Sequence, residues 1–160
     1  MNISARILGL GVAIFVAALD QLTKWLTFSW LAEIGGYFEV TSFLNLVTVW
    51  NRGISFGIFG DAPPPPLLLA GFAAAVAVGL AIWLWRADNH WLTTGIGFVI
   101  GGAVGNIVDR LGPAGAVADF IDLHWRNFHW PAFNVADSAI TVGVCMLLID
   151  TLPIRRGKAR

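Results

Sequence analysis

An acidic residue interrupts the last apolar run of the chain, in the stretch Phe133-Asn134-Val135-Ala136-Asp137-Ser138-Ala139-Ile140. A charged side chain inside a hydrocarbon-length segment costs about 2.5–3.5 kcal/mol on insertion scales, so Asp137 predicts a functional site. A second acid, Asp119, is expected on the loop that leads into this run. We expect the two carboxylates to meet and the rest of the chain to position them.

The composition of the 160-residue chain indicates a membrane protein. Hydrophobic residues make up 57% of it and charged residues only 12%, whereas soluble domains average about 25% charged residues. Four long apolar runs predict an all-α polytopic membrane protein of one domain, residues 1–160, with a small β-rich extramembrane cradle between helices one and two. The predicted transmembrane helices cover residues 5–28, 67–86, 91–110 and 133–152, and the periplasmic segments cover residues 29–66 and 111–132.

The first extramembrane segment differs from the apolar runs. Residues 40–50 are rich in β-branched and aromatic side chains that partly alternate, which predicts one or two short strands lying on the membrane face. Gly53, Gly57 and Gly60 indicate a lid over the site. A proline run over residues 63–66 predicts a stiff spacer that ends the segment.

The distribution of basic residues predicts the topology. Arg6, Arg86 and the basic tail (residues 155–160) fall on one side, which the positive-inside rule assigns to the cytoplasm, so both termini are expected there. At about 1.5 Å per residue, polar residues of helices one, three and four then reach one layer near the outer surface. This layer contains Asp20, Lys24, Asn106, Asp109, Arg110 and Asp137.

Helix three is expected to pack centrally, because glycines recur at the small-xxx-small spacing, at Gly97, Gly101 and Gly105. Asp20 and Lys24 stand at i and i+4 on one face of helix one. They form either an ion pair that supports a polar site or an interfacial lysine with a helper acid. The single cysteine, Cys145, excludes an intramolecular disulfide, and we expect it to be buried.

The remaining reactive residues favour a carboxylate mechanism. The histidines lack metal-ligand spacing, so neither a metal nor another cofactor is predicted. Two carboxylates in a low-dielectric site share a proton, which suits peptide hydrolysis by activated water. The pair titrates as a unit, so the base and the acid stay unassigned. Asp109 and Asp20 are the alternatives if Asp119 or Asp137 is not required.

Five blocks of the sequence resemble the signature blocks of bacterial lipoprotein signal peptidase, also called signal peptidase II. They are Asp20-Gln21-x-x-Lys24, Asn51-x-Gly53-x-x-Phe56-Gly57, Gly101-Gly102-Ala103-x-Gly105-Asn106-x-x-Asp109-Arg110, Val117-x-Asp119-Phe120 and Phe133-Asn134-x-Ala136-Asp137-x-x-Ile140. The blocks stand in the family's order and span residues 20–140, and no signature position departs from the pattern.

The resemblance implies an aspartic endopeptidase of the bacterial inner membrane that removes signal peptides from prolipoproteins, cutting just before a diacylglyceryl-modified cysteine. It implies Asp119 and Asp137 as the catalytic pair, with the active site near the periplasmic face. It also implies membrane lipid as a partner, inhibition by globomycin-type cyclic peptides, no nucleic-acid partner, and a monomer. Residues implied to shape the site or hold substrate are Asn51, Gly53, Asn106, Arg110, Asn134 and Ala136, and those implied to support it are Asp20, Lys24 and Asp109.

Other interpretations remain open from the residues alone. A proton-coupled transporter or a membrane assembly factor would also place acids in apolar helices, although a transporter would usually show an internal repeat or more helices. Arg110 either contacts substrate carbonyls or extends from the helix end to the membrane surface. Asn134 either supports the acid pair or caps the last helix. Asp122 is expected to be a solvated loop acid.

Overall fold

The computed structural model describes residues 2–53 and 64–152. These residues form four helices and one small antiparallel sheet. In chain order the elements are α1 (Ile3–Glu33), β1 (Tyr37–Thr41), β2 (Leu44–Asn51), α2 (Pro66–Arg86), α3 (His90–Leu111), β3 (Val117–Trp125), β4 (Phe128–His129) and α4 (Val135–Thr151). The predicted lid residues Gly57 and Gly60 and the basic tail lie outside the described residues.

Among the described residues, α1, α2 and α3 are long and apolar enough to cross a membrane, which indicates a multi-pass membrane protein. At 31 residues, α1 extends beyond the predicted run at both ends, and its length of about 46 Å exceeds a hydrocarbon core of about 30 Å. The last helix, α4, contains 17 residues.

Local capping chemistry sets where several helices begin. The side chain of Asn2 accepts from Ala5 N–H at the start of α1, and Asn89 accepts from Trp91 N–H at the start of α3. Pro66 opens α2, where its missing N–H costs nothing because the first helical N–H groups have no partner within the helix. The proline run therefore ends the extramembrane segment by starting a helix.

Helix α3 is the centre of the bundle, as its glycine spacing predicts, since it packs against each of the other three helices. A Cβ atom at Gly97 would collide with the Gly9 carbonyl oxygen of α1, and one at Gly102 with the Ala136 carbonyl oxygen of α4. The glycines thus bring the helix backbones into direct contact.

The sheet has the order β1-β2-β3-β4, so it draws strands from both extramembrane segments. The predicted strands between the first two helices are confirmed as β1 and β2, and the sheet also includes β3 and β4 from the second segment. A two-stranded hairpin is only marginally stable by itself, and here β3 pairs antiparallel with the second edge of β2, with Asn51 opposite Val117. Asp119 consequently lies on a strand, opposite Val49, and not on the predicted loop.

The start of α4 is tied to β3. Phe133 forms an antiparallel bridge with Ile121, in which each N–H donates to the other carbonyl. This bridge places the first turn of α4 beside the strand that carries Asp119. Cys145, expected to be buried, is exposed on the outer face of α4.

We predict that Gly97→Ala destabilises the bundle by about 1–3 kcal/mol, because its Cβ must displace the α1 backbone at Gly9. Thermal unfolding in detergent measures the effect. Gly79→Ala on α2 is the matched control, since its Cβ meets nothing within 4 Å and alanine is the better helix former. Equal melting temperatures for the two variants would contradict the close α1–α3 packing.

Candidate active site

Two carboxylates from different elements converge at the end of the helix bundle. Asp119 on β3 is 1% exposed, and Asp137 stands in the first turn of α4. Asn134 joins them: its Nδ2 donates to Asp119 Oδ1 (2.6 Å) and its backbone N–H to Asp137 Oδ2 (3.3 Å). The two acids thus lie close together, as predicted, and Asn134 connects them by hydrogen bonds.

Asn134 serves both as a helix cap and as a support for the acids. Its Oδ1 accepts from Asp137 N–H (2.9 Å), and the return bond from Asn134 N–H to the Asp137 carboxylate completes a capping box. Because a backbone N–H is a donor only, it fixes the amide oxygen toward the helix. The amide NH₂ must then face Asp119.

Lys24 orients a second amide in the same way. Its buried ammonium lies 2.7 Å from Asp20 Oδ2, 2.6 Å from Asp109 Oδ2 and 3.1 Å from Asn106 Oδ1. An ammonium has no acceptor, so the Asn106 oxygen must face Lys24. The Asn106 Nδ2 is therefore turned toward Asp137 and donates to its Oδ1 (2.9 Å).

The predicted support residues anchor the elements that carry the acids. Asp20 Oδ1 accepts from Ala136 N–H (2.9 Å), so α1 caps the first turn of α4. Asp109 Oδ2 accepts from Ala118 N–H (3.2 Å), next to Asp119 in β3. The Asp20–Lys24 pair supports a polar site, which excludes the alternative of an interfacial lysine with a helper acid.

Gln21 belongs to this network and was not predicted as a site residue. Its Nε2 donates to Asp109 Oδ1 (2.9 Å) and to the Gly105 carbonyl (3.1 Å). The signal was available, because an amide between Asp20 and Lys24 in an apolar run needs buried partners. Gly105 has no room for a Cβ, which would collide with the Asp20 carboxylate.

The remaining predicted residues lie at the edge of the pair. Asn51 Nδ2 donates to Asp119 Oδ2 (3.0 Å), and its Oδ1 accepts from Gly53 N–H (3.0 Å). Arg110 is half-buried and donates from Nη1 to the Asn106 carbonyl of its own helix (3.3 Å). All eleven predicted residues therefore lie in one connected region.

A cavity of about 290 Å³ opens beside Asp137 between α2, α3 and α4. Its walls are mostly apolar, and its polar end is formed by Asn51, Asn106, Arg110 and Asp137. A second cavity of about 560 Å³ is also lined by Asp137, together with residues 130–133. Asp137 thus lines two cavities.

Burial, and after it the nearby charge of Asp137, raise the pKa of the Asp119 carboxyl to about 7. Hydrogen bonds from Asn51 and Asn134 oppose this rise, because they stabilise the charged form. Asp119 therefore holds a proton over a much wider pH range than an ordinary aspartate.

Asp122, expected to be a solvated loop acid, is instead an internal strand residue that is 8% exposed. It accepts from Asn45 Nδ2 (2.8 Å) and lies 2.9 Å from His129 Nδ1. Burial alone would raise the pKa of Asp122, but the bonds from Asn45 and His129 hold it below its usual range. The prediction was wrong because the segment was taken for a loop. In the strand, Asp122 lies opposite Asn45 of β2, whose side chain donates to it.

Comparison with known proteins connects this arrangement to one family. A family model described as signal peptidase (SPase) II matches residues 12–153. The lipoprotein signal peptidase of Rhodopseudomonas palustris strain TIE-1 is 44% identical over 151 residues, covering 91% of this chain and 92% of the relative. The lipoprotein signal peptidase of Solibacter usitatus strain Ellin6076 is 40% identical over 156 residues, covering 93% of each chain. A solved structure described as a bacterial membrane enzyme matches with a TM-score of 0.79 at 29% identity, over 99% of this chain and 93% of the other.

We predict that Lys24→Met lowers the free energy of unfolding by about 3–5 kcal/mol, because it leaves two buried carboxylates without a counter-ion. Chemical or thermal unfolding in detergent measures the loss. Adding Asp20→Asn should recover part of it, since one of the two uncompensated charges is then removed. Arg86→Met, which removes an exposed cation, is the control and should change stability little.

Proposed function

This chain belongs to the signal peptidase II family and is a membrane peptidase, and we propose that it removes signal peptides from prolipoproteins by an aspartic mechanism with Asp119 and Asp137 as the catalytic pair. The observation that carries the proposal is the bridge through Asn134, which holds a strand carboxylate and a helix carboxylate together. We further propose cleavage just before a diacylglyceryl-modified cysteine.

The pair supplies the two proton transfers that peptide hydrolysis requires. One carboxylate accepts a proton from the attacking water, while the other, protonated, donates to the carbonyl oxygen and later delivers a proton to the leaving amine. The raised pKa of Asp119 supports a shared proton near neutral pH. The pair titrates as a unit, so the two roles belong to the pair.

Two side-chain amides hold the carboxylates in position for this chemistry. Asn106 and Asn134 each present an N–H group to a carboxylate, and neither can rotate without losing its own oxygen's donor. Such fixed dipoles need no reorganisation during the reaction. We propose that Arg110 and Asn51, which line the same cavity, hold substrate near the cut, and that Gly53 and Ala136 shape the site.

The apolar cavity walls fit a substrate that arrives within the bilayer. Phe72, Ala73 and Val76 of α2 face Ile140 of α4 across the 290 Å³ cavity, with the carboxylate at one end. A signal-peptide segment and acyl chains are apolar and would exclude water here, while the peptide bond reaches the polar end. Globomycin-type cyclic peptides are proposed to block the same site.

We propose that the whole chain acts as one domain and as a monomer in the bacterial inner membrane. In this arrangement α4 is the fourth span, both termini are cytoplasmic, and the carboxylate pair lies near the periplasmic face. The bias of Arg6, Arg86 and the tail supports the orientation. The apolar character of α4 and its tight packing on α3 at Gly102 and Gly143 support the fourth span.

We predict that Asp119→Asn and Asp137→Asn each abolish cleavage of a diacylglyceryl-modified prolipoprotein by the purified enzyme, because the pair can no longer both accept and donate a proton. Product formation is followed by gel shift in detergent, with EDTA present. Asp122→Asn is the matched control, another buried acid three residues along the same strand, and should keep activity. Near-normal cleavage by either Asp119→Asn or Asp137→Asn would refute the catalytic pair.

We predict that kcat/KM falls as the pH rises above about 7, because Asp119 then loses the proton that the pair shares. Asn51→Ala removes a hydrogen bond that favours charged Asp119, so it should raise this pKa and move the alkaline limb to higher pH. Asn45→Ala is the matched control, since this asparagine of the same strand donates to Asp122. An alkaline limb that stays in place in Asn51→Ala would contradict the assignment to Asp119.

A further inference from the structure

Arg6 is a buried cation at the end of the bundle farthest from the carboxylate pair. It is 7% exposed and lies on the α1 face that packs against α3, together with Gly9 and Ala13. One turn further along α1, a Cβ at Gly9 would meet the Thr93 carbonyl oxygen at 2.7 Å and the Leu84 side chain at 2.8 Å. Arg6 therefore occupies the crevice in which α1, α2 and α3 converge.

The Arg6 guanidinium has no counter-charge among residues 2–53 and 64–152. Its Nε is shielded from water and finds no hydrogen-bond partner there, and the ion pairs of the described chain involve other residues. The Trp85 ring lies beside it, with the ring centre 5.8 Å from the guanidinium carbon. Asp88, the acid of the adjoining α2–α3 connection, accepts from Asn2 N–H (2.8 Å) at the start of α1.

Arg6 also lies near helix N-termini, which favour anions. It stands in the first turns of α1, where the helix dipole disfavours a cation and favours an anion. The first turn of α3 lies alongside, because Ser4 Oγ and His90 Nε2 are 3.2 Å apart. Two helix N-termini and a guanidinium that makes no hydrogen bond within the described residues thus lie at the same end of the bundle, and helix N-termini favour phosphate groups.

We propose that this crevice binds the phosphate group of an anionic phospholipid. Side chains on a helix point toward its N-terminus, so Arg6 extends toward the membrane surface at which α1 begins. Arg6 and Asp20 are 14 residues apart, about 21 Å by helix rise, so the bound lipid belongs to the leaflet opposite the carboxylate pair. The planar guanidinium can form two parallel hydrogen bonds to one phosphate.

Trp85 completes the site. Its ring holds the guanidinium on one side and is itself exposed at the end of α2, at the depth where tryptophan side chains meet lipid headgroups. The phosphate would supply the negative charge that the described chain does not, and the acyl chains would lie along the exposed apolar surface of α2.

The test compares Arg6→Gln with Arg86→Gln, which removes the same charge from an exposed arginine at the same end. Each protein is purified in a neutral detergent and titrated with dioleoyl phosphatidylglycerol, dioleoyl phosphatidylcholine or inorganic phosphate. Native mass spectrometry counts retained lipid, and thermal unfolding measures protection. We expect phosphatidylglycerol to be retained and to raise the melting temperature of wild type and Arg86→Gln, and retention to fall at least fivefold in Arg6→Gln.

Equal losses in Arg6→Gln and Arg86→Gln would overturn the site, because they would show attraction by diffuse charge. Equal protection by inorganic phosphate and by phosphatidylglycerol would overturn the lipid as its source and leave a free-anion site. Circular dichroism of each variant without lipid verifies folding. If Arg6→Gln does not fold, Trp85→Leu replaces it and should weaken retention several-fold, whereas unchanged retention would overturn the proposal.

Discussion

The buried ammonium of Lys24 is the interaction on which the site depends. It lies between the carboxylates of Asp20 and Asp109 and joins α1 to α3 in a buried region. Each of these acids also accepts a backbone N–H, from the first turn of α4 and from β3. One cation thus connects the four elements around Asp119 and Asp137. Buried charges are costly unless they are fully paired, so this network enforces a single arrangement.

The network also sets the direction of the hydrogen bonds that Asp119 and Asp137 accept. An ammonium and a backbone N–H can only donate, so Lys24 fixes the oxygen of Asn106 and the α4 N-terminus fixes the oxygen of Asn134. Each amide then presents its NH₂ group to one acid of the pair. The two amides thereby acquire a defined orientation from Lys24 and from the first turn of α4.

The two acids have different environments because they come from different kinds of structure. Asp137 stands in a helix turn that lines two cavities, whereas Asp119 is almost fully enclosed in a strand. The sheet is needed for this difference, since β2 contributes Asn51 and the bridge between Phe133 and Ile121 brings α4 to β3. The helix bundle positions Asp137 at one end of α4, and the small sheet positions Asp119.

The sequence by itself determined the apolar runs, the central glycine helix, the Asp20–Lys24 pair and the layer of polar residues, because these depend on spacing along one segment and on the cost of charge in hydrocarbon. The motif blocks also identified the eleven residues that meet at the site. Only the tertiary structure decided that Asp119 lies on a strand, that Asp122 is internal, that Gln21 joins the network, and which way Asn106 and Asn134 face. Each of these depends on partners distant in sequence, such as Lys24 and Asn106 at a separation of 82 residues. A local sequence pattern cannot predict such a pairing. The direction in which a side-chain amide faces depends on the donor that the fold brings to its oxygen.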